Sequence, residues 1–304
     1  MEPFKIHILG CGSALPTSRH NASSQVVELR DKMFMIDCGE GTQLQMRRSH
    51  IRFTKVGHIF ISHLHGDHCF GLIGLISTFG LLGRTARLHI YATKELGPML
   101  QAQLDLFCDR LGYEVEFHPI DTRQQQVIYE DRSLTVSTIP LEHRLPTCGF
   151  LFQEKPTAPH IRKEKIDFYR IPISQIGNIK AGADWTTEDG KVVPNQQLVY
   201  PAETPRSYAY CSDTRYMPDL GQRIRGVTAL YHESTYADDN LLMAEKYFHS
   251  TARQAALVAR DAQARQLILG HYSSRYEDEN ILLDEARQVF ESTILADENM
   301  VVNL

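Results

Sequence analysis

The chain has 304 residues, 42 % of them hydrophobic and 23 % charged, and a formal net charge of -5 at pH 7. This composition is ordinary for a globular protein with a sizeable core, and the length allows either one large α/β domain or two smaller domains. The longest apolar stretch, residues 69–83, spans about 15 residues against the roughly 20 that cross a bilayer, so a membrane role is not indicated.

Strand-like and helical segments alternate along the chain without a repeat of fixed period. The first part predicts strands near residues 6–10, 24–29 and 32–36, a helix near 40–50, a buried strand at 59–61 and an apolar helix from residue 71. The rest predicts helices near residues 94–107, 240–247, 251–262 and 277–291, and strands at 134–139, 207–211 and 266–270. The alternation predicts an α/β fold.

One stretch interrupts this alternation. Residues 154–205 are rich in Pro, Gly, Lys and polar residues, contain Trp185, the single tryptophan, and predict only a short helix near 163–169. We interpret this stretch as a long excursion from a single domain that covers residues 1–304. A single domain is favoured because the candidate site residues described next extend from residue 63 to residue 271.

The most informative motif is IFISHLHGDHCFGL, in which His63, His65, Asp67 and His68 lie on a loop over residues 62–68 after the buried strand. Imidazole and carboxylate groups suit zinc, and this spacing lets one pair face one ion and the other pair a second ion. A polar surface loop is the alternative, but it does not explain such a density of ligand groups after an apolar strand. The motif therefore predicts a dinuclear zinc site.

Three isolated residues follow other strand-like runs in the same way. His143 follows residues 134–139 and a Pro-Leu-Glu turn, Asp213 follows 207–211, and His271 follows 266–270. A lone histidine is more often a core or surface residue than a ligand, so each position is ambiguous alone. Because the same arrangement recurs at several strand ends, we predict that all three are ligands.

Seven motifs together resemble the metallo-β-lactamase superfamily and, within it, the ribonuclease Z family of zinc endonucleases that trim the 3′ end of precursor tRNA. They are DCGEGTQ (residues 37–43), SHLHGDH (62–68), LEHR (141–144), YCSDTR (210–215), HESTY (232–236), HSTAR (249–253) and LGHYSSRY (269–276). HxHxDH alone specifies the superfamily, whereas HEST with HSTAR and GHYSSRY is far more specific. The resemblance implies an αββα sandwich with a protruding arm-like insertion and the metals at one edge between the sheets.

The resemblance also implies two zinc ions per subunit. It implies that His63, His65 and His143 hold one ion, that Asp67, His68 and His271 hold the other, and that Asp213 bridges both. A shared water acidified by the ions would attack phosphorus, while Glu233 orients His249 as the general acid for the leaving 3′ oxygen. Asp67 either serves only as a ligand or also orients or deprotonates that water, and the sequence leaves both roles open.

Two further acidic residues stand in the DCGEGTQ motif. The position of Asp37 resembles the superfamily aspartate that orients a metal-bound imidazole through its outer nitrogen. Glu40 is interpreted as an acid at the N-terminus of the helix near residues 40–50. Likewise Thr251 is predicted to cap the helix that follows His249.

The candidate substrate-binding residues are Arg275, Ser273, Ser274 and Arg19. Arg275 is predicted to contact a phosphate or nucleotide beside the scissile bond, and a salt bridge to Glu277 or Asp278 is the alternative. Arg19 belongs to the loop over residues 16–24, which resembles the family's loop that approaches the acceptor end of tRNA. A polar turn between two strands explains most residues of that loop equally well.

In the family, the region that corresponds to residues 154–205 carries an arm with a Gly-Pro-rich tip that grips tRNA. Here residues 171–184 keep the length of that tip but have lost most of its Gly-Pro character. The segment remains basic through His160, Arg162, Lys163, Lys165 and Lys180. We therefore still expect it to meet phosphate groups.

Three functions are candidates for a chain with these motifs. The first is a tRNA-processing hydrolase, an endoribonuclease that cuts precursor tRNA after the discriminator nucleotide and leaves a 3′-OH on the tRNA and a 5′-phosphate on the trailer. The second is a zinc phosphodiesterase for small or cyclic phosphodiesters, which the net charge of -5 and the altered arm favour. The third, a non-catalytic RNA-binding protein, conflicts with the complete ligand set. The HEST and HSTAR pair favours the first.

Six scattered cysteines without a CxxC pair are interpreted as reduced, mostly buried thiols, which predicts a cytoplasmic protein. The first residues read directly as a strand, so no signal peptide is predicted. The family resemblance further implies a homodimer in which the arm of one subunit helps to hold the tRNA that the other subunit cuts.

Overall fold

The structure is a computed structural model that describes residues 3–15, 17–108 and 110–304. Within these residues the strands are β1 (Phe4–Gly10), β2 (Ser24–Leu29), β3 (Lys32–Ile36), β4 (Val56–Phe60), β5 (Leu88–Ala92), β6 (Val115–Pro119), β7 (Val127–Glu130), β8 (Leu134–Pro140), β9 (Cys148–Glu154), β10 (His160–Ile161), β11 (Trp185–Thr186), β12 (Val192–Val193), β13 (Val199–Tyr200), β14 (Ser207–Cys211), β15 (Ala229–Glu233), β16 (Gln266–Gly270), β17 (Thr293–Leu295) and β18 (Val301–Asn303).

The helices described are α1 (Thr42–Arg48), α2 (Gly66–Cys69), α3 (Leu72–Leu81), α4 (Leu96–Phe107), α5 (Lys163–Phe168), α6 (Ile173–Lys180), α7 (Asn195–Leu198), α8 (Leu220–Arg223), α9 (Leu241–Tyr247), α10 (Ala252–Asp261) and α11 (Asn280–Arg287). Short 3-10 turns cover Phe53–Lys55 and Asp238–Asn240. Across the described ranges, none of these helices has both the length and the apolar character that a bilayer crossing requires.

Two large sheets form the larger of two compact units, which covers residues 3–130, 135–153 and 206–304 apart from the positions outside the described ranges. The first sheet has the order β18-β1-β2-β3-β4-β5-β6, and the second has the order β17-β16-β15-β14-β9-β8-β7. Their facing sides meet through aromatic rings: Phe34 lies 5.9 Å from Phe152, and Phe60 lies 5.4 Å from Phe150 between ring centroids. The sheets therefore pack face to face as a sandwich.

Helices cover the outer faces of this sandwich. Because side chains alternate along a strand, Ile59 and Ile90 point away from the aromatic layer, and they join a buried cluster with Met46, Leu75 and Phe79 of α1 and α3. On the other sheet, α10 packs against β15 and β16 and its N-terminus is closed by Thr251 in a capping box. The order of layers is αββα, as the resemblance implied, and the Thr251 cap is confirmed.

The smaller compact unit contains residues 131–134 and 154–205. It has two short antiparallel ladders, β10 with β13 and β11 with β12, and an apolar cluster of its own. Ile179, Leu198 and Val193 are almost fully buried in that cluster, against which Trp185 packs. The short helix predicted near residues 163–169 is confirmed as α5, but the sequence did not predict α6, which covers most of the segment that lost its Gly-Pro character.

Several predicted elements match the structure and others need correction. The strands over 24–29, 32–36, 207–211 and 266–270 are confirmed at both ends. The helix predicted at 277–291 is too long, because the carbonyl groups of Tyr276 and Glu277 accept hydrogen bonds from Arg19 and the helix begins at Asn280. The interpretation of Glu40 as a helix N-terminal acid is wrong, since α1 begins at Thr42 and has no acidic residue in its first turn.

Candidate metal centre

The candidate ligands lie together because the strands that precede them run in the same direction. In the first sheet β3 and β4 are parallel, so Asp37 and the histidine motif leave the same edge. In the second sheet β14, β15 and β16 are parallel, which brings Asp213, Glu233 and His271 to one edge. The carboxyl ends of parallel strands are where ligand sites form in such folds.

The predicted loop over residues 62–68 is partly helical, which corrects the sequence interpretation. His63 and His65 lie on the extended part, whereas Asp67 and His68 belong to the helical turn α2. Gly39 packs against this turn so closely that a Cβ at residue 39 would lie 2.3 Å from the carbonyl oxygen of Asp67. The absence of a side chain at residue 39 therefore lets the two strand-end loops approach each other.

Three residues at these strand ends adopt left-handed backbone conformations. The φ angles are 57° for Asp37, 58° for Asp213 and 60° for His271. Aspartate and histidine are among the few non-glycine residues that are enriched there, and such conformations concentrate at functional sites. The Asp213 and His271 side chains reach the site directly, whereas the fully buried Asp37 carboxylate lies behind His68.

The first predicted ligand group converges on a single point. His65 Nδ1 lies 3.0 Å from His63 Nε2 and 3.3 Å from His143 Nε2, and Asp213 Oδ2 lies 3.5 Å from both Nε2 atoms. A tetrahedral zinc site with bonds of about 2.0–2.1 Å has ligand atoms about 3.3 Å apart. The side chains present therefore fit a tetrahedral ion.

The second predicted group fits equally well. Asp213 Oδ1 lies 2.9 Å from His271 Nε2 and 3.2 Å from His68 Nε2, and Asp67 Oδ2 lies 3.5 Å and 3.4 Å from the same two nitrogens. Both nitrogens are buried and make no hydrogen bond within the described residues. Buried, unsatisfied nitrogen atoms are costly, and a bound cation would satisfy both of them.

The opposite ring nitrogens of the histidines have partners that fix their orientation. His68 Nδ1 lies 2.7 Å from Asp37 Oδ2, His143 Nδ1 lies 2.9 Å from the carbonyl oxygen of Phe248, and His271 Nδ1 lies 3.0 Å from the hydroxyl of Thr235. Such outer contacts select the tautomer that leaves Nε2 free to bind a metal. The contact expected for Asp37 is present in the geometry.

The charges at His63 and Asp213 favour the protonation states that bind metal ions, whereas at His68 and His271 burial is outweighed by Asp213, which raises both pKa values. Burial lowers the pKa of His63 well below its usual range, and the nearby His68 lowers it further. Burial alone would raise the pKa of Asp213, but the imidazoles of His271, His68 and His63 hold it well below its usual range. A neutral imidazole and an ionised carboxylate are the forms that bind metal ions.

Glu233 and His249 form a second functional pair beside the ligands. Glu233 Oε1 lies 2.9 Å from His249 Nδ1, and the fully buried carboxylate also accepts hydrogen bonds from the backbone N–H of Thr214 at 2.7 Å and of Ser250 at 3.1 Å. Burial opposes a charge on His249, but Glu233 outweighs it and raises the pKa of His249. The dyad can therefore hold a protonated imidazole.

A cavity of about 620 Å³ opens over both groups. Asp67, Asp213, His249 and His271 line it together with the predicted Ser273 and Ser274, and with others from the loop over residues 13–15. The backbone N–H of Ala14 donates to Asp67 Oδ2 at 2.7 Å. The cavity is therefore the place where a substrate would meet the candidate catalytic groups.

The two predicted arginines have different surroundings. Arg275 is exposed and lies 4.8 Å above the ring of Tyr236, where it donates to Asn240 Oδ1 at 3.0 Å. It therefore does not rely on the alternative salt bridge to Glu277 or Asp278. Arg19 is pinned instead: its guanidinium donates to the carbonyls of Tyr276 and Glu277 and pairs with Glu279 at 3.0 Å. Pro16, the first residue of the predicted 16–24 loop, lies outside the described residues.

Sequence reasoning assigned no role to several residues of this site. Thr235 donates to Glu233 Oε2 at 2.6 Å, and Tyr210 donates to Asp37 Oδ2 at 2.8 Å across the sandwich. Arg144 and Arg215 lie over the rings of Tyr247 and Phe248 at 5.9 and 4.6 Å. All four residues belong to the motifs quoted above, so their presence at the site could have been predicted. The contact of the Phe248 carbonyl with His143 could not, because a backbone carbonyl has no signature in the sequence.

Comparison with known proteins gives family matches and full-length relatives. Residues 4–158 match the family described as Anti-Pycsar protein Apyc1, and residues 189–272 match the family described as Beta-lactamase superfamily domain. Ribonuclease Z of Bacteroides fragilis is 57% identical over 304 residues, and the match covers 100% of both chains. Ribonuclease Z of Porphyromonas gingivalis is 51% identical over 304 residues, again with 100% of both chains covered.

Solved structures share the fold at lower identity. Human tRNase Z, short form (ELAC1), superposes with a TM-score of 0.71 at 23% identity, with 98% of each chain covered. The metallo-beta-lactamase fold protein YhfI from Bacillus subtilis superposes with a TM-score of 0.69 at 17% identity, with 100% of each chain covered. These likenesses confirm the predicted α/β sandwich.

Proposed function

The chain belongs to the ribonuclease Z family, and from that premise we propose that it is an endoribonuclease that removes the 3′ trailer from tRNA precursors. One observation supports this proposal most strongly: the Glu233–His249 pair and the two converging groups of His and Asp side chains lie at the same cavity. Family membership supplies the hydrolytic chemistry and its RNA substrate. The products are a tRNA with a 3′-OH and a trailer with a 5′-phosphate.

We propose two zinc ions as the cofactors. The proposed ligands are His63, His65 and His143 for one ion, Asp67, His68 and His271 for the other, and Asp213 for both. When bound, zinc would supply Lewis acidity, which acidifies water and offsets the negative charge that develops on phosphoryl oxygens. Asp37 holds the His68 ring in place through its Nδ1 atom.

The proton for the leaving oxygen is assigned to His249. Its Nδ1 atom is held by Glu233, so its other nitrogen is left for the substrate, and the raised pKa favours the protonated ring. Asp67 has two functions in the proposal, as a ligand and as the group that positions water, because its Oδ2 atom is fixed by the Ala14 N–H. This arrangement separates the group that handles water from the group that protonates the leaving oxygen.

We propose that Ser273, Ser274 and Arg275 contact the RNA next to the scissile phosphate, with Arg19 supporting the same loop. The two serines line the cavity, and the exposed Arg275 guanidinium is held over Tyr236. We further propose that residues 154–205 bind the body of the tRNA as part of a single functional domain. The basic residues of α5, Lys163 and Lys165, support this proposal.

Two finer proposals concern assembly and compartment. The packed helices α3 and α4 leave Leu81, Met99, Leu106 and Phe107 more than half exposed, which supports a homodimer through this apolar surface. Light scattering should give twice the chain mass, and Leu106→Glu should reduce it to one chain mass. The scattered cysteines, four of which are buried, support a cytoplasmic location, which cell fractionation would test.

The test of function uses zinc-loaded protein, a tRNA precursor with a 3′ trailer and a chromogenic phosphodiester. We expect cleavage after the discriminator nucleotide, lost in Asp67→Ala and His65→Ala and kept in the exposed control His50→Ala. An uncut precursor with turnover of the small ester would overturn the proposal and favour the phosphodiesterase alternative. Reversal of charge at Lys163 and Lys165 should weaken precursor binding without changing small-ester turnover.

A further inference from the structure

A second group of metal-capable side chains lies on the first sheet, outside the candidate centre. His89 on β5 is the register partner of Glu116 on β6, and His118 follows two residues later on the same side of β6. Two imidazoles and a carboxylate thus project from adjacent parallel strands. The potential ligand atoms of all three side chains lie within 4.8 Å of one another.

The distances within this group resemble those of a metal site. His89 Nδ1 lies 2.9 Å from His118 Nε2, and Glu116 lies 3.5 Å from His118 Nε2 through Oε1 and 3.7 Å from His89 Nδ1 through Oε2. Ligand atoms around a tetrahedral zinc ion are about 3.3 Å apart. Small movements of the two imidazole rings and of the carboxylate would give all three atoms that separation.

Both imidazoles are held in fixed planes by neighbouring rings. His58 stacks on His89 with centroids 4.7 Å apart and an interplanar angle of 10°. Tyr91 stacks on His118 at 4.5 Å and 13°. Ligands whose orientation is fixed before binding lose little freedom when an ion arrives, so these contacts preorganise the group.

The Glu116 carboxylate keeps one oxygen for the imidazoles although Arg87 binds the other. Arg87 donates to Glu116 Oε2 at 2.7 Å, which leaves Oε1 directed at His118, and Arg87 is itself paired with Glu114 at 2.8 Å. The three ligand side chains are between 26% and 34% exposed, so water can reach the group and complete the coordination.

We propose that His89, Glu116 and His118 bind a further divalent transition-metal ion, with zinc as the ion that two imidazoles and a carboxylate suit. Because β6 is the edge strand of the first sheet, the ion would join this edge to its neighbour β5. We therefore assign the ion a stabilising role at this sheet edge, separate from the groups assigned to catalysis.

Equilibrium dialysis against zinc, followed by elemental analysis, tests this proposal on the intact protein. We expect wild-type protein to bind one more ion per chain than His118→Ala or Glu116→Gln, while His50→Ala, which removes an exposed histidine, binds as many ions as wild type. Excess zinc should raise the melting temperature of wild-type protein more than that of either site variant. The variants should cleave the tRNA precursor at the wild-type rate, which shows that they fold and retain the catalytic ions.

Equal ion counts and equal zinc-induced melting shifts in wild type, His118→Ala and Glu116→Gln would overturn the proposal. Glu116→Gln keeps the size of the side chain, so it guards against a packing defect in the alanine variant. Cobalt(II) gives an independent readout, because its visible spectrum reports coordination. A spectrum that is unchanged by both variants would contradict the site as well.

Discussion

Replacement of His249 by alanine should separate leaving-group protonation from the rest of catalysis. The ring lies 2.9 Å from Glu233, and its removal leaves that buried carboxylate with the donors of Thr214, Ser250 and Thr235. The carboxylate therefore stays satisfied and the variant should fold. Glu233→Gln is a harsher change, because an amide NH₂ would face donors and cost about 1–3 kcal/mol.

The expected size of the His249→Ala effect follows from its role. A positioned general acid contributes about 10²- to 10⁴-fold in rate, or roughly 3–5 kcal/mol of the barrier. This loss applies only where the leaving group needs a proton. A ribose 3′ oxygen is a poor leaving group, whereas the nitrophenolate of bis(p-nitrophenyl) phosphate leaves unprotonated at neutral pH.

Single-turnover rates on both substrates provide the assay. We expect His249→Ala to slow precursor cleavage by about 10²- to 10⁴-fold and to slow the nitrophenyl ester by less than about tenfold. Zinc content measured in parallel must equal that of wild type, because His249 lies close to His143 and His271. Equal losses on the two substrates at unchanged zinc content would refute the role of His249 as an acid.

Three further predictions concern binding and stability. Arg144→Ala should raise KM for the precursor and reduce the slope of log K against log salt by about 0.7–0.9. The reason is that its exposed guanidinium lies over Tyr247 at the cavity, where we expect it to contact an RNA phosphate. Arg225→Ala, the control, should leave the slope unchanged. The hydrogen bond with Glu298 raises the pKa of His20 above its usual value of about 6.5. The contribution of this pair to the free energy of unfolding is therefore complete below about pH 6.5 and is lost as the pH rises through the raised pKa. Chemical denaturation of His20→Gln should accordingly show a stability that depends less on pH. Leu198→Ala should cost about 2–5 kcal/mol in the 154–205 unit and raise its hydrogen exchange, while small-ester turnover is kept.

The sequence was sufficient to predict which candidate ligands would lie together. Each follows a short apolar run; one such residue is ambiguous alone, but its recurrence after several runs indicates strand ends that share a site. Parallel pairing then brings Asp213 and His271 to one edge. The contact of His143 with the Phe248 carbonyl was not predictable, because it depends on a left-handed backbone at Phe248, with φ of 60°, in a segment distant along the chain.

The fold of the 154–205 segment, in contrast, could not be predicted from its sequence pattern. Its periodicity is weak because its strands have only two residues each and its helices have between four and eight. A hydrophobic period needs a window of about 11–18 residues to stand out. The apolar cluster around Ile179 and Leu198 is therefore assembled from residues whose pattern is invisible locally.

Asp37 connects the stability of the sandwich to the geometry of the metal centre. Its carboxylate is fully buried and accepts hydrogen bonds from the Ser62 N–H at 2.7 Å, the Ser62 hydroxyl at 2.9 Å and the Tyr210 hydroxyl at 2.8 Å, besides its contact with His68. Ser62 and His68 belong to the first sheet's loop, whereas Tyr210 lies on β14 of the second sheet. A buried carboxylate is tolerated only with such partners. Because the donors come from both sheets, any change in how the sheets pack alters the carboxylate that orients His68. The position of His68, a proposed metal ligand, therefore depends on the sandwich core.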